Sequence, residues 1–287
     1  APRAEVRYSA YVGKSSPTRP YFGDTHLHTA FSMDAGAFGA RLSPRDAYRF
    51  ARGEEIAASS GQPAKLARPL DFLVVAFSQG TFPKALMYLP GTPGYQGAWQ
   101  ETIAAAEQYN QPGAFTAFIG FEWTSNTGGN NLHRNVIFRD NGDKAGQVEP
   151  FTVYPPNGSD NPRDLWKWMA AYEQKSGGRV LAIAHNGNLS NGRMFPMIES
   201  FSGKPVDREY AETRAKWERL YEASQTKGDG ETHPYLSPND EFANFERWDF
   251  GNLDASVPKT RDMLQYEYAR EALKNGLKLE GQLGTNP

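Results

Sequence analysis

The sequence predicts an α/β fold in which short buried strands alternate with helices and run parallel. Three observations carry that expectation. Apolar runs of strand length recur, at 71–76 and 115–121 among others, as they do in strands buried on both faces. Helix signals fall between them, so the order reads strand, loop, helix, repeated. Histidines and carboxylates sit at the carboxyl ends of the strands, and in β/α barrels that face carries the active site.

Residues 1–20 are polar, with Ser15, Ser16, Pro17 and Pro20, and read as a leading arm; residues 21–287 read as one domain. A first strand ends over 21–24 and runs directly into Thr25-His26-Leu27-His28-Thr29. Ser43-Pro44 starts a helix, with Ser as N-cap and Pro at the first helical position. A strand over 71–76, a helix over 99–109 and a strand over 115–121 follow, the last ending at Glu122. Residues 132–138 form a strand with His133 at its start. Residues 164–174 form an amphipathic helix stopped by Gly177-Gly178. A strand over 180–184 ends at His185, and a strand over 220–224 contains Glu222. Further helices are expected over 208–219, 239–247 and 260–275.

Composition narrows the function classes. A net charge of −2 and a pI near 6.3 argue against a nucleic-acid binder, which carries a basic stripe. The longest apolar run, 72–77, is too short to span a bilayer, and no block of like charge marks a membrane-surface patch. The 28 glycines and 20 prolines make the chain loop-rich. Zero cysteines exclude disulfides, thiolate ligands and a cysteine nucleophile. The first residue is Ala, which fits a mature form cleaved after a signal peptide as well as a trimmed chain. Of the two compartments, periplasmic or secreted is expected ahead of cytoplasmic.

His26-Leu27-His28 is the sharpest local feature. In an extended segment residues two apart point the same way, so both imidazoles can reach one ion. Imidazole suits Zn, Mn, Fe or Ni, and the chain has only five histidines in 287 residues. Glu122 closes a buried strand, where a carboxylate is either a metal ligand or half of a salt bridge. His133 and His185 are likewise ligands or hydrogen-bonded core residues. Glu222 and Lys227 either face the site, with Lys227 and Arg134 holding an anionic substrate group, or are ordinary surface charges. His233 lies in a polar loop and reads as a solvated histidine. No Gly-x-Ser-x-Gly elbow and no Walker loop is present.

Gly23-Asp24-Thr25-His26-Leu27-His28-Thr29, followed by Phe31-Ser32-Met33-Asp34-Ala35, resembles the first motif of the PHP (polymerase and histidinol phosphatase) superfamily. Residues 116–140, 180–195 and 220–249 are similar to one bacterial group within it, the domain of unknown function 3604 family. The resemblance implies a distorted (β/α)7-type barrel with loop-rich insertions and two or three divalent ions, Zn, Mn or Fe. His26, His28, Glu122, His133 and His185 would be the metal ligands, with Asp34 nearby. Glu122, Arg134 and Asn186 are the residues expected to carry catalysis, and Arg134, Asn186, Lys227 and Glu222 to contact the substrate. The implied activity is a metal-dependent phosphoesterase working through a metal-activated hydroxide on a small anionic ester. The same centre could serve other esters, sulfate esters, amides or lactones, or the chain could be a non-catalytic module derived from that fold.

Two departures stand against this pattern. The strand over 72–76 should run into Asp-His but meets Phe77-Ser78-Gln79-Gly80, and no late Asp-x-His motif occurs before Pro287. The expectation drawn from them is that the sequence omits a loop after Ala76 and a C-terminal portion.

Overall fold

The computed structural model describes residues 19–78, 91–156 and 158–287. Nearly all of the arm expected over 1–20 therefore lies outside the described residues, as does the stretch beginning at Gln79.

A curled six-stranded sheet, about half of a barrel wall, organises a mixed α/β fold. Its strands are β1 (Gly23–Leu27), β4 (Phe72–Ser78), β5 (Thr116–Trp123), β6 (Arg134–Phe138), β7 (Val180–His185) and β8 (Leu220–Glu222), in that spatial order. Two short hairpins complete the described strands: β2 (Ile56–Ala57) with β3 (Pro63–Ala64), and β9 (Ser224–Gln225) with β10 (Gly228–Asp229). The sheet's edges are β1 and β8, and the curl brings them close enough for His26 of β1 to bond Glu222 of β8.

The all-parallel expectation fails at one strand. β6 pairs antiparallel with both β5 and β7, while the other neighbours in the sheet are parallel. The connection from Trp123 to Arg134 contains one 3-10 turn and no α-helix, so the chain reverses as a hairpin. Parallel return needs a crossover of about a dozen residues or more, usually helical.

The helices α2 (Pro44–Ala51), α3 (Pro93–Tyr109), α5 (Pro162–Ser176) and α6 (Arg208–Trp217) cover the convex side; α1 (Met33–Gly36) and α4 (Gly142–Ala145) are single turns. Ser43 caps α2 through a full capping box with Asp46, and Gly177 ends α5 in the left-handed conformation, both as the sequence reads. Strand alternation sends Leu73, Val75, Phe77, Ile119, Phe121, Val136 and Phe138 into the main core, against Tyr48, Tyr95, Trp99, Trp166, Met169 and Tyr172 from the helices. Each such fully buried side chain contributes about 1.5–3 kcal/mol of transfer free energy. The alternate residues Val74, Phe118, Ile137 and Ile183 form a small apolar floor on the concave face. Gly120 lies there because any Cβ would stand 2.5 Å from a Val74 methyl and 2.9 Å from the Val136 carbonyl.

Two expected helices are corrected. Residues 239–247 form turns: Phe242 and Phe245 are exposed, only Ala243 is buried near them, and Glu246 has φ 44°. Its aromatics at helical spacing thus find no surface to pack against, and a helix there has no buried face. The helix expected over 260–275 instead begins at Ala269 and runs to Leu283 (α7), after a turn at 260–263 and a 3-10 turn over Leu264–Tyr266.

Candidate metal centre

The concave face of the sheet ends in polar side chains. β5 alternates Phe118, Gly120, Glu122 towards it, and the register sets Glu122 between Ser78 of β4 and Asn135 of β6. On the far side His185, the last residue of β7, pairs with Glu222 of β8. β6 runs the other way, so its first residues lie at the same rim as the carboxyl ends of its neighbours, and His133 arrives beside Glu122.

Glu122 is the hub. Its side chain is 1% exposed. Oε1 lies 2.8 Å from His133 Nδ1, 3.0 Å from His185 Nε2 and 3.9 Å from His26 Nε2. Oε2 lies 3.5 Å from His28 Nε2 and has no hydrogen-bond partner among the described residues. His28 Nε2 is in turn 3.7 Å from Asp34 Oδ2, another buried oxygen without a partner. Two groups able to hold a metal ion result among the described residues: His26, Glu122 and His185, and His28, Asp34 and Glu122. Glu122 belongs to both.

The donor set fits divalent cations. Glu222 Oε2 accepts from His26 Nδ1 at 2.8 Å, which leaves the Nε2 lone pair of His26 directed into the cluster. Ser32 Oγ bonds His28 Nδ1 at 2.7 Å and orients that ring in the same way. The two Nε2 atoms stand 3.1 Å apart, so the two ligand groups adjoin each other. Buried carboxylate oxygens without donors are costly, and a cation is the partner that relieves them.

Electrostatics point the same way. Burial works to raise the Glu122 carboxyl, but the hydrogen bonds and charge of His133, the His185 bond and the charge of His28 hold it well below its usual range, so it is an anion. Burial pushes His185 down to about 3 and lowers His28 as well, which favours the neutral rings; His185 Nε2 donates to the Glu122 carboxylate, and a bound cation would take the place of that proton. His26 differs: burial lowers it, yet the Glu222 bond and the nearby Glu122 charge outweigh that and leave it raised.

The structure thus gathers His26, His28, Glu122, His185 and Asp34, with His133 in contact but outside both ligand groups. Both His133 nitrogens are engaged, Nδ1 by Glu122 and Nε2 by Asn126 Oδ1 at 2.7 Å, so in this arrangement it holds Glu122 in place. Glu222 is a support for His26. Asn186 follows His185 in the left-handed conformation (φ 51°), with its Oδ1 buried and unpartnered. Lys227 lies on the hairpin beside the cluster. Arg134 is placed elsewhere. Its neighbour His133 takes the concave side, so Arg134 points into the opposite layer, where Nε bonds Glu218 at 2.9 Å and Nη1 donates to the Leu132 carbonyl. Asp24 accepts from the His26 backbone N–H and shapes the strand end. His233 is buried, with Nε2 on Asp249 and Nδ1 accepting from Tyr235 N–H, which corrects its reading as a solvated residue.

Several supporting residues escaped the sequence reading. Ser32 and Asn126 orient histidines. Asn131 Nδ2 donates to the carbonyls of His185 and Asn186 and ties their turn to the β5–β6 hairpin. Ser78 and Asn135 flank Glu122 with buried polar atoms that have no partner. Only strand alternation could have found these two, by placing them on the face shared with Glu122.

A mixed α/β protein with a buried cluster of histidines and carboxylates able to bind metal is what fold and site define. The chain belongs to the family described as "Protein of unknown function (DUF3604)", whose pattern matches residues 15–82 and 76–287. The two matched stretches overlap at 76–82, where Phe77-Ser78 stands in place of the expected Asp-His. No curated relative and no solved structure matches the chain. Among the described residues no helix is long and apolar enough to cross a membrane.

Proposed function

We propose that this chain is a metal-dependent hydrolase of the PHP type, acting as a phosphoesterase on a small anionic ester, with its curled half-barrel sheet belonging to a distorted (β/α)7 barrel. One observation carries the reading: Glu122 is shared by two ligand groups at the rim where strand ends converge. His26, His185 and Glu122 would hold one divalent ion; His28, Asp34 and Glu122 a second. Zn, Mn and Fe all suit this mixture of imidazole and carboxylate.

Ions held there would supply Lewis acidity and bring the pKa of a water towards neutrality, as hydrolysis of an ester near pH 7 requires. The chain's own groups do the rest. Glu222 keeps His26 in the tautomer that presents Nε2, and His133 holds Glu122 against its neighbours. Lys227 offers a positive charge, and the Asn186 amide a polar contact, to a bound ester.

Elemental analysis of protein purified without chelator, paired with turnover of p-nitrophenyl phosphate, tests the proposal. About two ions per chain are expected, as a clustered-metal hydrolase needs, with His26→Ala losing metal and turnover while its circular dichroism stays unchanged. A variant that keeps full turnover would refute the assignment. A second reading, a non-catalytic binding module, draws on Ser78, which ends β4 where the pattern expects a ligand. Absence of bound metal after supplementation with Zn, Mn or Fe would favour it.

A further inference from the structure

The hairpin β9–β10 follows directly on β8, and its two-residue turn is Thr226-Lys227. Its attachment to the centre is tight. Gln225 Nε2 donates to Glu222 Oε1 at 2.8 Å, and the other oxygen of that carboxylate holds His26. Asn188 Nδ2, from the turn after His185, donates to the Lys227 carbonyl at 3.2 Å. Gly228 has φ 110°, and a Cβ there would meet the Glu246 carbonyl at 2.8 Å and Asn188 Nδ2 at 2.9 Å. The backbone of Lys227 is therefore fixed between two elements that both carry residues of the cluster.

The Lys227 side chain is half-buried, and among the described residues its ammonium has neither an ion pair nor a hydrogen bond. The other buried cations nearby are neutralised: Arg134 by Glu218, and Lys259 by Glu267 at 2.6 Å. The hairpin that carries Lys227 is bonded through Gln225 to Glu222, the support of His26, which sets the lysine beside the cluster. Holding a cation half out of water without a partner costs free energy that an anion at the mouth of the site would return.

We propose that Lys227 selects phosphomonoesters over phosphodiesters and uncharged esters at this centre. The inference rests on the metal-dependent reading above. Two divalent ions bring four positive charges, which the carboxylates of Glu122, Asp34 and Glu222 and a metal-activated hydroxide cancel. Lys227 then supplies the positive charge that meets an incoming ester. A phosphomonoester carries close to two negative charges at neutral pH, because its second pKa lies near about 6. A diester carries one, and a carboxylic ester or lactone none. The attraction of Lys227 is therefore greatest for the monoester, weaker for the diester and absent for an uncharged ester, and it acts through a charge-assisted hydrogen bond to a non-bridging oxygen.

The test compares wild type with Lys227→Met and Lys227→Arg, each confirmed to carry the same metal content. Binding of inorganic phosphate to the metal-loaded protein is measured by calorimetry, and KM for p-nitrophenyl phosphate, bis-p-nitrophenyl phosphate and p-nitrophenyl acetate in parallel. Lys227→Met is expected to weaken phosphate binding and raise the monoester KM by roughly ten- to a hundredfold, the usual size of a charged hydrogen bond. Its preference for monoester over diester should fall, and Lys227→Arg should restore part of both. Unchanged phosphate affinity, or an equal loss on all three esters, would overturn the role of Lys227 while leaving the hydrolase reading intact. If metal-loaded wild type turns over none of the esters, the hydrolase reading fails instead, and the phosphate calorimetry still decides whether Lys227 is an anion site.

Discussion

Replacing Arg134 by Met separates two roles for that residue. From sequence it reads as a substrate contact; in the structure it is 1% exposed and committed to Glu218, which also accepts from Trp166 Nε1 at 2.8 Å and lies 3.2 Å from Arg214 Nε. Met preserves the unbranched apolar stem, so the loss is confined to the guanidinium. Breaking a buried ion pair costs about 3–5 kcal/mol. Arg214 and Trp166 still serve Glu218 in the variant, which places the effect near the low end, about 3 kcal/mol. For a chain of this size that is a fall in melting temperature of about 5 °C. Urea denaturation followed by tryptophan fluorescence gives the free energy, and steady-state kinetics below the melting range gives KM. A stability loss under about 1 kcal/mol, accompanied by a tenfold rise in KM for an anionic ester, would mean that the Arg134 side chain faces the substrate and that the two-layer assignment of β6 is wrong.

Two further outcomes follow from the same contacts. Glu222→Gln keeps the shape but removes the carboxylate that orients His26, and metal affinity in competition with a chromogenic chelator should drop by about 10–100-fold; equal affinity would show that the His26–Glu222 bond is incidental. Glu218 supplies a pH dependence. Burial works to raise its carboxyl, but Arg134 and Arg214 hold it below the ordinary 4.5. Its contribution is therefore complete above about pH 4.5 and is lost as the pH falls below that value. Glu218→Gln should flatten the acid limb of stability between about pH 5 and 3, and a variant with the wild-type acid limb would rule this carboxylate out as its source.

Much of the architecture is legible because local rules act alone there. Ser43-Pro44 and Gly177 bound helices by capping chemistry, and the apolar runs at β4, β5 and β7 leave little choice but buried strands. His26, His28, Glu122 and His185 are readable for a related reason: each is a polar residue ending or following a strand that otherwise buries itself. What escapes depends on partners far along the chain. The burial of His233 comes from Asp249, sixteen residues later. Residues 239–247 have a helical spacing of aromatics but no surface to pack against, so periodicity alone misleads. The start of α7 at Ala269 follows a buried link in which Lys259 bonds both oxygens of Glu267. The reversal of β6 and the true place of Arg134 were within reach of arithmetic. A short connection without a helix cannot make a parallel crossover, and neighbours in a strand cannot share a face.

The reversal of β6 also bears on how the centre comes together in time. Glu122 and His133 are eleven residues apart on one hairpin, and His185 joins through β7, which pairs with the same β6. The β5–β6 hairpin closes a short loop and forms early, whereas β7, which pairs with β6 across 42 to 50 residues, waits like other distant pairings until more chain has been ordered. β1 must find β4 about fifty residues away, and His26 must then reach Glu222 across 196 residues of chain. The carboxylate hub and His133 therefore share one local unit, while His185 and the strand bearing His26 depend on distant pairings, the longest being the His26–Glu222 bond. The two candidate ligand groups are complete only once the sheet has curled, so an ion bound there would report completion of folding and would stabilise the finished protein over its precursors.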